Sequence, residues 1–278
     1  MYSILERTDQ EKGAVRMSTK VISPAVVYPD SDGKPMAENT LQFEWITTIV
    51  GGLRAIYRHD PNVFVAGDLL WYPVEGNNKL RSAPDAMVIF GRPKGYRGSY
   101  IQFREEGIAP QVVFEVLSPG NRVGEMGRKR AFYERYGVEE YYLIDPKDPE
   151  VEGKAPKGEE QVPDVKGWRR EGGKLRPIQE IYHWVSPRLG IRFERGETEL
   201  RIFGPDGRRF QTYEEIAERA EDLEQRAEDL EQRAVEERDR AEQEHNRAEQ
   251  EHNRAETERL RAERLAEMLR SLGADPDA

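Results

Sequence analysis

Between residues 36 and 210 the apolar positions fall into short runs separated by Pro, Gly and Asn. Over residues 38–58 they recur at Leu41, Trp45, Ile46, Ile49, Val50, Leu53 and Ile56, the spacing of one helical face, with Gly51-Gly52 in its interior. Three strand-like runs follow: VFVAGDLLWY at 63–72, DAMVIF at 85–90 and QVVFEVL at 111–117. Each is rich in Val, Ile or aromatic residues. After Ser118-Pro119-Gly120-Asn121 the pattern predicts a helix over 123–136 that stops at Gly137. YYLI at 141–144 predicts a further strand, ended by Asp145-Pro146. Strand, helix, strand at this spacing is a crossover unit, so part of the sheet should be parallel. Residues 147–166 are Pro, Gly and charge, and read as a loop. Short strands return over 168–178 and 189–202, with Gly172-Gly173 and Gly204-Pro205-Asp206-Gly207 as turns.

The pattern changes at Tyr213. Alanine recurs every seven residues from Ala220 to Ala262, Leu269 is next in phase, and the units AEDLEQR and AEQEHNR each occur twice or nearly so. With no Gly or Pro before Gly273, this predicts one long heptad helix over 213–272. Three residues after each Ala stand Leu223 and Leu230, then Glu237, Glu244, Glu251 and Glu258, then Leu265. The two ends can zip as a coiled coil, while Glu and Arg three and four apart support the middle. A solvated single helix is the alternative. Self-association through this helix is the expected role.

Charge follows the same division. Residues 213–278 hold 11 Arg, no Lys and 22 acidic residues, leaving 32 basic and 31 acidic in 1–212. The net charge of −10 therefore belongs to the helix, and the near-neutral remainder neither excludes nor favours a polyanionic partner. There is no cysteine, which excludes disulfides and thiolate metal sites. The first twenty residues alternate charge without the apolar core of a secretory signal, and no apolar run approaches the ~20 residues that span a bilayer. A cytoplasmic protein with no membrane association is expected. Met17 offers a second start, and residues 1–35 read as a loosely ordered arm.

Two carboxylates stand out by context. Asp85 follows Pro84 at the opening of an apolar strand, and Glu115 lies inside another, VVFEVL. An ionised carboxylate in a buried strand is costly unless it is paired or binds a cation. On adjacent strands the two could share one Mg²⁺ (or Mn²⁺), a hard cation that prefers oxygen ligands.

The ordered set SAPDAMVIFG, QVVFEVLSPGNR and K-x3-Y-x3-GVEEYYLIDP resembles the Uma2 family, within the restriction-endonuclease-like PD-(D/E)XK superfamily. The resemblance runs from about Pro35 to Phe210. It implies an α/β fold with a mixed central sheet over residues 36–210, between the arm and the long C-terminal helix. It also implies metal-dependent cleavage of phosphodiester bonds in nucleic acid, DNA first. Asp85 matches the Asp of the Pro-Asp motif and Glu115 the acid of the (D/E)XK motif, both as metal ligands. The superfamily's Lys two residues after that acid is Leu117 here. In Uma2-like sequences a Lys stands on the following helix instead, and Lys129 holds that place, where it would assist the attacking water or the charge on phosphate.

Glu44 on the first helix and Asp68 in the first strand are further candidate acids, against ordinary roles as a solvated helix residue and a strand end. Arg122, Arg128 and Arg130 could contact phosphate or simply solvate their helix. Tyr133, Tyr136, Tyr141, Tyr142 and Trp184 read as core around the crossover helix. Pro163-Asp164 lies in the polar loop and takes no role. His59 and His183 are isolated, and His245 and His252 are copies within the repeat. The competing functions are a nuclease fold that binds without cutting, and an interaction scaffold in which the heptad helix matters most.

Overall fold

The computed structural model describes residues 26–33, 35–118, 123–146 and 162–271. The chain divides into two compact units, residues 1–212 and 213–278. Most of the N-terminal arm and of the 147–166 segment lies outside the described residues.

In the first unit, helix α1 (Thr40–Ile56) opens on Asn39, whose side chain accepts the Gln42 amide at 2.7 Å, the N-cap bond that satisfies a free helical N–H. Its apolar stripe buries Ile46, Ile49 and Leu53. Gly52 looks like a helix breaker in the sequence, but a Cβ there would stand 2.4 Å from the Phe210 ring. The glycine is where that ring seats against the helix.

The main sheet has six strands in the order β1 (Val63–Ala66), β3 (Ala86–Phe90), β5 (Val112–Val116), β6 (Glu140–Asp145), β7 (Asp164–Glu171) and β8 (Lys174–Pro177). Within this sheet, among the described residues, only β5 and β6 pair in parallel, and α2 (Val123–Tyr136) is the crossover between them. The remaining pairs are antiparallel, so the sheet is mixed, as the strand–helix–strand pattern predicts. Short β2 (Trp71–Tyr72) pairs with β4 (Tyr100–Ile101), and β9 (Arg192–Arg195) with β10 (Leu200–Phe203).

Residue parity sorts the two layers, because successive strand side chains point to opposite faces. Ala86, Val88, Val112, Phe114 and Val116 join Ile46, Ile49 and Leu53 of α1 in one core. Met87, Ile89 and Val113 face the other way, into a core with Tyr133 of α2 and Trp71. The aromatic set read from the sequence as one cluster is therefore split. Tyr133, Tyr136 and Tyr141 belong to the α2 side, whereas Tyr142 and Trp184 pack on the α1 side.

Two boundaries differ from the sequence pattern. The apolar run 63–72 is not one strand: it breaks after Ala66, and Asp68 adopts φ 46°, a left-handed turn between β1 and β2. Strand β7 begins at Asp164, so the last residues of the expected loop already pair with β6, Asp164 opposite Asp145. Part of the arm is also tied down. Tyr28 packs edge-on against Tyr72 at 5.2 Å, and the Tyr72 hydroxyl donates to the Pro29 carbonyl at 2.8 Å.

The second unit contains one helix, α3 (Tyr213–Ser271), of 59 residues, none of them buried. Among the described residues no helix is long and apolar enough to cross a membrane.

Candidate active site

Asp85 immediately precedes β3, and Glu115 is the fourth residue of β5. In the antiparallel register of these strands Ala86 stands opposite Phe114 and Met87 opposite Val113. Continuing one step sets Asp85 opposite Glu115. Directly opposed residues share a face, and the parity of both is that of Met87 and Val113, the face covered by α2. Asp85 is 7% exposed and Glu115 0%.

Helix α2 supplies the polar atoms above them. Lys129 is in phase with buried Met126 and Tyr133, so its stem runs along the inward side. Its Nζ donates to Glu115 Oε2 at 2.7 Å. One turn later the Tyr133 hydroxyl donates a short hydrogen bond to Glu115 Oε1. Having given its only proton there, the same oxygen accepts from Ser82 Oγ at 3.0 Å. The Tyr133 ring is held by Trp71, stacked at 6.2 Å and 8°. On the opposite acid, the Val116 amide donates to Asp85 Oδ2 at 2.6 Å.

The two acids are close enough to interact electrostatically. Burial first, then the Glu115 charge, pushes the Asp85 carboxyl well above its ordinary range, against the pull of Lys129 and the Val116 amide. One ammonium thus faces two buried carboxylates, and Asp85 is the one held in its protonated form more readily. Burial opposes the Lys129 ammonium, but Glu115 and Asp85 outweigh it and raise its pKa, keeping the side chain charged.

A third carboxylate borders the pair. Asp68, in its left-handed turn, donates its amide to the Pro84 carbonyl at 3.1 Å, tying the β1–β2 turn to the approach of Asp85. Its carboxyl is raised by burial and Asp32, lowered by Lys129 and raised by Glu115, which places it in the same electrostatic field. A non-glycine residue at positive φ marks a conformation imposed by its surroundings, a frequent property of functional turns. Neighbouring Gly67 is required by space: a Cβ would lie 2.9 Å from Val50 and 3.3 Å from the Asp85 carbonyl.

Not every expected residue arrives. Glu44 is exposed on α1, and the helix instead turns in Gln42, whose Nε2 donates to the Val116 carbonyl at 3.1 Å. Glu38, at the start of that helix, accepts from the Ser118 hydroxyl at 2.6 Å. Arg128 is exposed, Arg130 lies over the Trp168 ring at 5.3 Å, and Arg122 is outside the described residues. Asp164 accepts from its neighbour Val165 and from Tyr182, an ordinary strand-end role. Sequence reasoning passed over Tyr133 as a polar residue. The available signal was its position four after Lys129, which repeats the same helical face.

Glu140, on β6, shows what a structural buried acid looks like in this fold. It is 3% exposed and accepts from the Tyr142 hydroxyl at 2.9 Å, from Ser186 and from the Arg188 amide at 3.0 Å. It needs no second carboxylate beside it. Asp85 and Glu115 are instead pressed together, an arrangement that is unfavourable for folding and suited to a hard cation. Each carboxylate oxygen has two lone pairs, so the bonds to Lys129, Tyr133 and Val116 leave acceptor capacity. Two carboxylates suit Mg²⁺, which usually takes one or two and keeps waters. No group of three or more His, Cys, Asp or Glu in metal-holding geometry occurs among the described residues, so the fit rests on the two acids alone.

The globular unit is thus a mixed α/β domain whose crossover helix α2 covers the paired acids. Residues 33–167 of the chain are similar to the family Uma2, described as "Putative restriction endonuclease". Among solved structures it is similar to "a putative nuclease belonging to DUF820 from Anabaena variabilis ATCC 29413". That likeness has a TM-score of 0.38 and 15% identity, covering 55% of this chain and 74% of that one. No curated protein matches.

Proposed function

We propose that the globular unit is a divalent-cation-dependent nuclease that hydrolyses phosphodiester bonds of nucleic acid, DNA in the first instance. The observation carrying this reading is the convergence of Asp85 and Glu115 on one face, with Lys129 Nζ 2.7 Å from Glu115. Asp85 and Glu115 would hold Mg²⁺ or Mn²⁺, which supplies Lewis acidity and a more acidic bound water. Lys129 remains an ammonium and offers positive charge where charge develops on the phosphate. Tyr133 and Ser82 fix the Glu115 carboxylate so that its orientation does not depend on substrate. Residues 36–210 form the catalytic domain in this reading, and α3 associates copies of the chain, which suits cutting two strands.

The test is cleavage of plasmid and single-stranded DNA with Mg²⁺ or Mn²⁺, comparing the wild-type chain with Asp85→Ala, Glu115→Ala and Lys129→Ala. Loss of cleavage in the variants is expected. Equal cleavage in all four preparations would identify a contaminant and end the proposal. Binding of DNA by all four without cleavage would favour a fold that has kept recognition and lost chemistry.

A further inference from the structure

We infer that α3 pairs with α3 of a second copy, parallel and in register, to form a two-stranded coiled coil. This deepens the reading that the helix associates two copies and is independent of nuclease activity. The starting observation is an apolar seam left exposed among the described residues: Ile216 is 52% exposed, Leu223 56%, Leu230 65% and Leu265 61%. With Ala220 and its heptad repeats at position a, these four occupy position d, the inner seam of a two-stranded coil.

Orientation follows from the flanking charges. Position g is arginine in seven successive heptads: Arg219, Arg226, Arg233, Arg240, Arg247, Arg254 and Arg261. Antiparallel pairing sets g against g, so arginine would oppose arginine along the whole helix. Parallel pairing sets g against the e position five residues on in the partner copy. Arg219 then meets a Glu224 and Arg226 a Glu231, each twice by symmetry.

The e position also changes in step with d. Where d is leucine, at 223 and 230, e is Glu224 and Glu231. Where d is glutamate, at 237, 244, 251 and 258, e becomes Arg238, His245, His252 and Arg259. In a parallel dimer the e residue of one helix flanks the d layer of the other, so the acid layers meet basic side chains across the interface. Between g and e the middle is not complementary, since Arg233 faces Arg238, Arg240 faces His245, Arg247 faces His252 and Arg254 faces Arg259, so the charge pairing that favours parallel alignment lies at Arg219–Glu224 and Arg226–Glu231. Within one helix, pairs such as Arg240–Glu236 at 3.6 Å hold the backbone without needing that partner. Arg259 also pairs with Glu263 of its own helix at 3.7 Å, but the coincidence of a changed e with an acidic d is what a second helix alongside would use.

The full chain is tested by sedimentation and by disulfide trapping, which the absence of native cysteine makes unambiguous. A mass twice 32.1 kDa is expected. Under mild oxidation Leu223→Cys should trap most chains as a covalent dimer, and Gln225→Cys, on the outer face, almost none. Reversing Arg219 and Arg226 to Glu should weaken association several-fold, with recovery when Glu224→Arg and Glu231→Arg are added. A monomer at all concentrations overturns the association itself. A dimer in which Leu223→Cys stays reduced, or charge reversal without recovery, overturns the parallel register. A mass of three or four chains overturns the two-stranded form. Cleavage is not measured in any arm, so loss of the nuclease reading would leave these outcomes unchanged.

Discussion

Lys129 and Tyr133, one turn apart on α2, take one oxygen each of the buried Glu115 carboxylate. The i, i+4 geometry of a helix is what allows two donors of different kinds to reach one carboxylate. The ammonium compensates charge, and the phenol, anchored by Ser82 and Trp71, compensates direction. Any change at one of the three positions therefore acts on stability as well as chemistry.

Lys129→Met should separate these effects. The methionine keeps most of the stem but leaves Glu115, 0% exposed, without its cation. Breaking a buried pair by removing one partner costs on the order of 3 kcal/mol. The Lys129 side chain is 23% exposed, so water moderates that cost. A melting temperature lowered by several degrees and loss of cleavage are expected. Unchanged cleavage with a lowered melting point would make Lys129 purely structural.

Tyr133→Phe keeps the ring against Trp71 and removes the hydroxyl. Glu115 Oε1 and Ser82 both lose a partner, and an unsatisfied buried group costs about 1–3 kcal/mol. If Tyr133 orients Glu115, kcat should fall while KM for DNA stays nearly unchanged, because the phenol lies beneath the acid and not at the substrate. Steady-state kinetics at saturating Mn²⁺ would show the split. A rise in KM alone would contradict this role.

Much of this arrangement was legible in the chain. An acid inside VVFEVL announces a buried carboxylate, and the odd numbers 85 and 115 need only the strand register to fall on one face. Lys129 was legible twice, through the family pattern and through its phase with Met126. What stayed hidden depended on tertiary choices. Glu44 and Gln42 both lie near the first turn of α1, and the rotation of a helix with Gly51-Gly52 inside it was not readable until Phe210 was seen to fill Gly52. The break at Asp68 was hidden for a similar reason, because VFVAGDLLWY has strand composition throughout. The turn is imposed by the Asp68–Pro84 backbone bond and by close packing at Gly67, contacts between segments that no local pattern records. Nor does alternation separate Tyr141 from Tyr142 until the sheet has a covered face on each side.

Asp85→Asn tests the electrostatic cost of the site. A carboxyl with a raised folded-state pKa holds its proton more tightly than the unfolded chain does. Between the ordinary value of 3.8 and the raised one, unfolding releases a proton, so stability falls as pH rises through that window. Asparagine can still accept the Val116 amide and carries no charge. In chelator, Asp85→Asn should therefore melt higher than wild type at neutral pH, with the difference shrinking toward pH 4 as the wild-type acid takes up its proton. Cleavage should be lost at the same time, the usual exchange of stability for function. A variant less stable than wild type at every pH would show that Asp85 is a structural acid like Glu140.

Cation binding is best read through tryptophan. All four, Trp45, Trp71, Trp168 and Trp184, belong to the first unit and none to α3, so their fluorescence melt reports on the globular unit alone. This matters because the acidic helix attracts divalent ions non-specifically, and a melt followed by helicity would mix the two. A ligand that binds only the folded state at a hundredfold excess over its Kd stabilises it by about 2.7 kcal/mol. At roughly 2–4 °C per kcal/mol for a domain of this size, Mn²⁺ should raise the wild-type fluorescence midpoint by several degrees. Glu115→Gln and Asp85→Ala keep α3 intact and should show little or no shift. An equal rise in all three would place the cation elsewhere on the globular unit, and the two acids would then have no metal to hold.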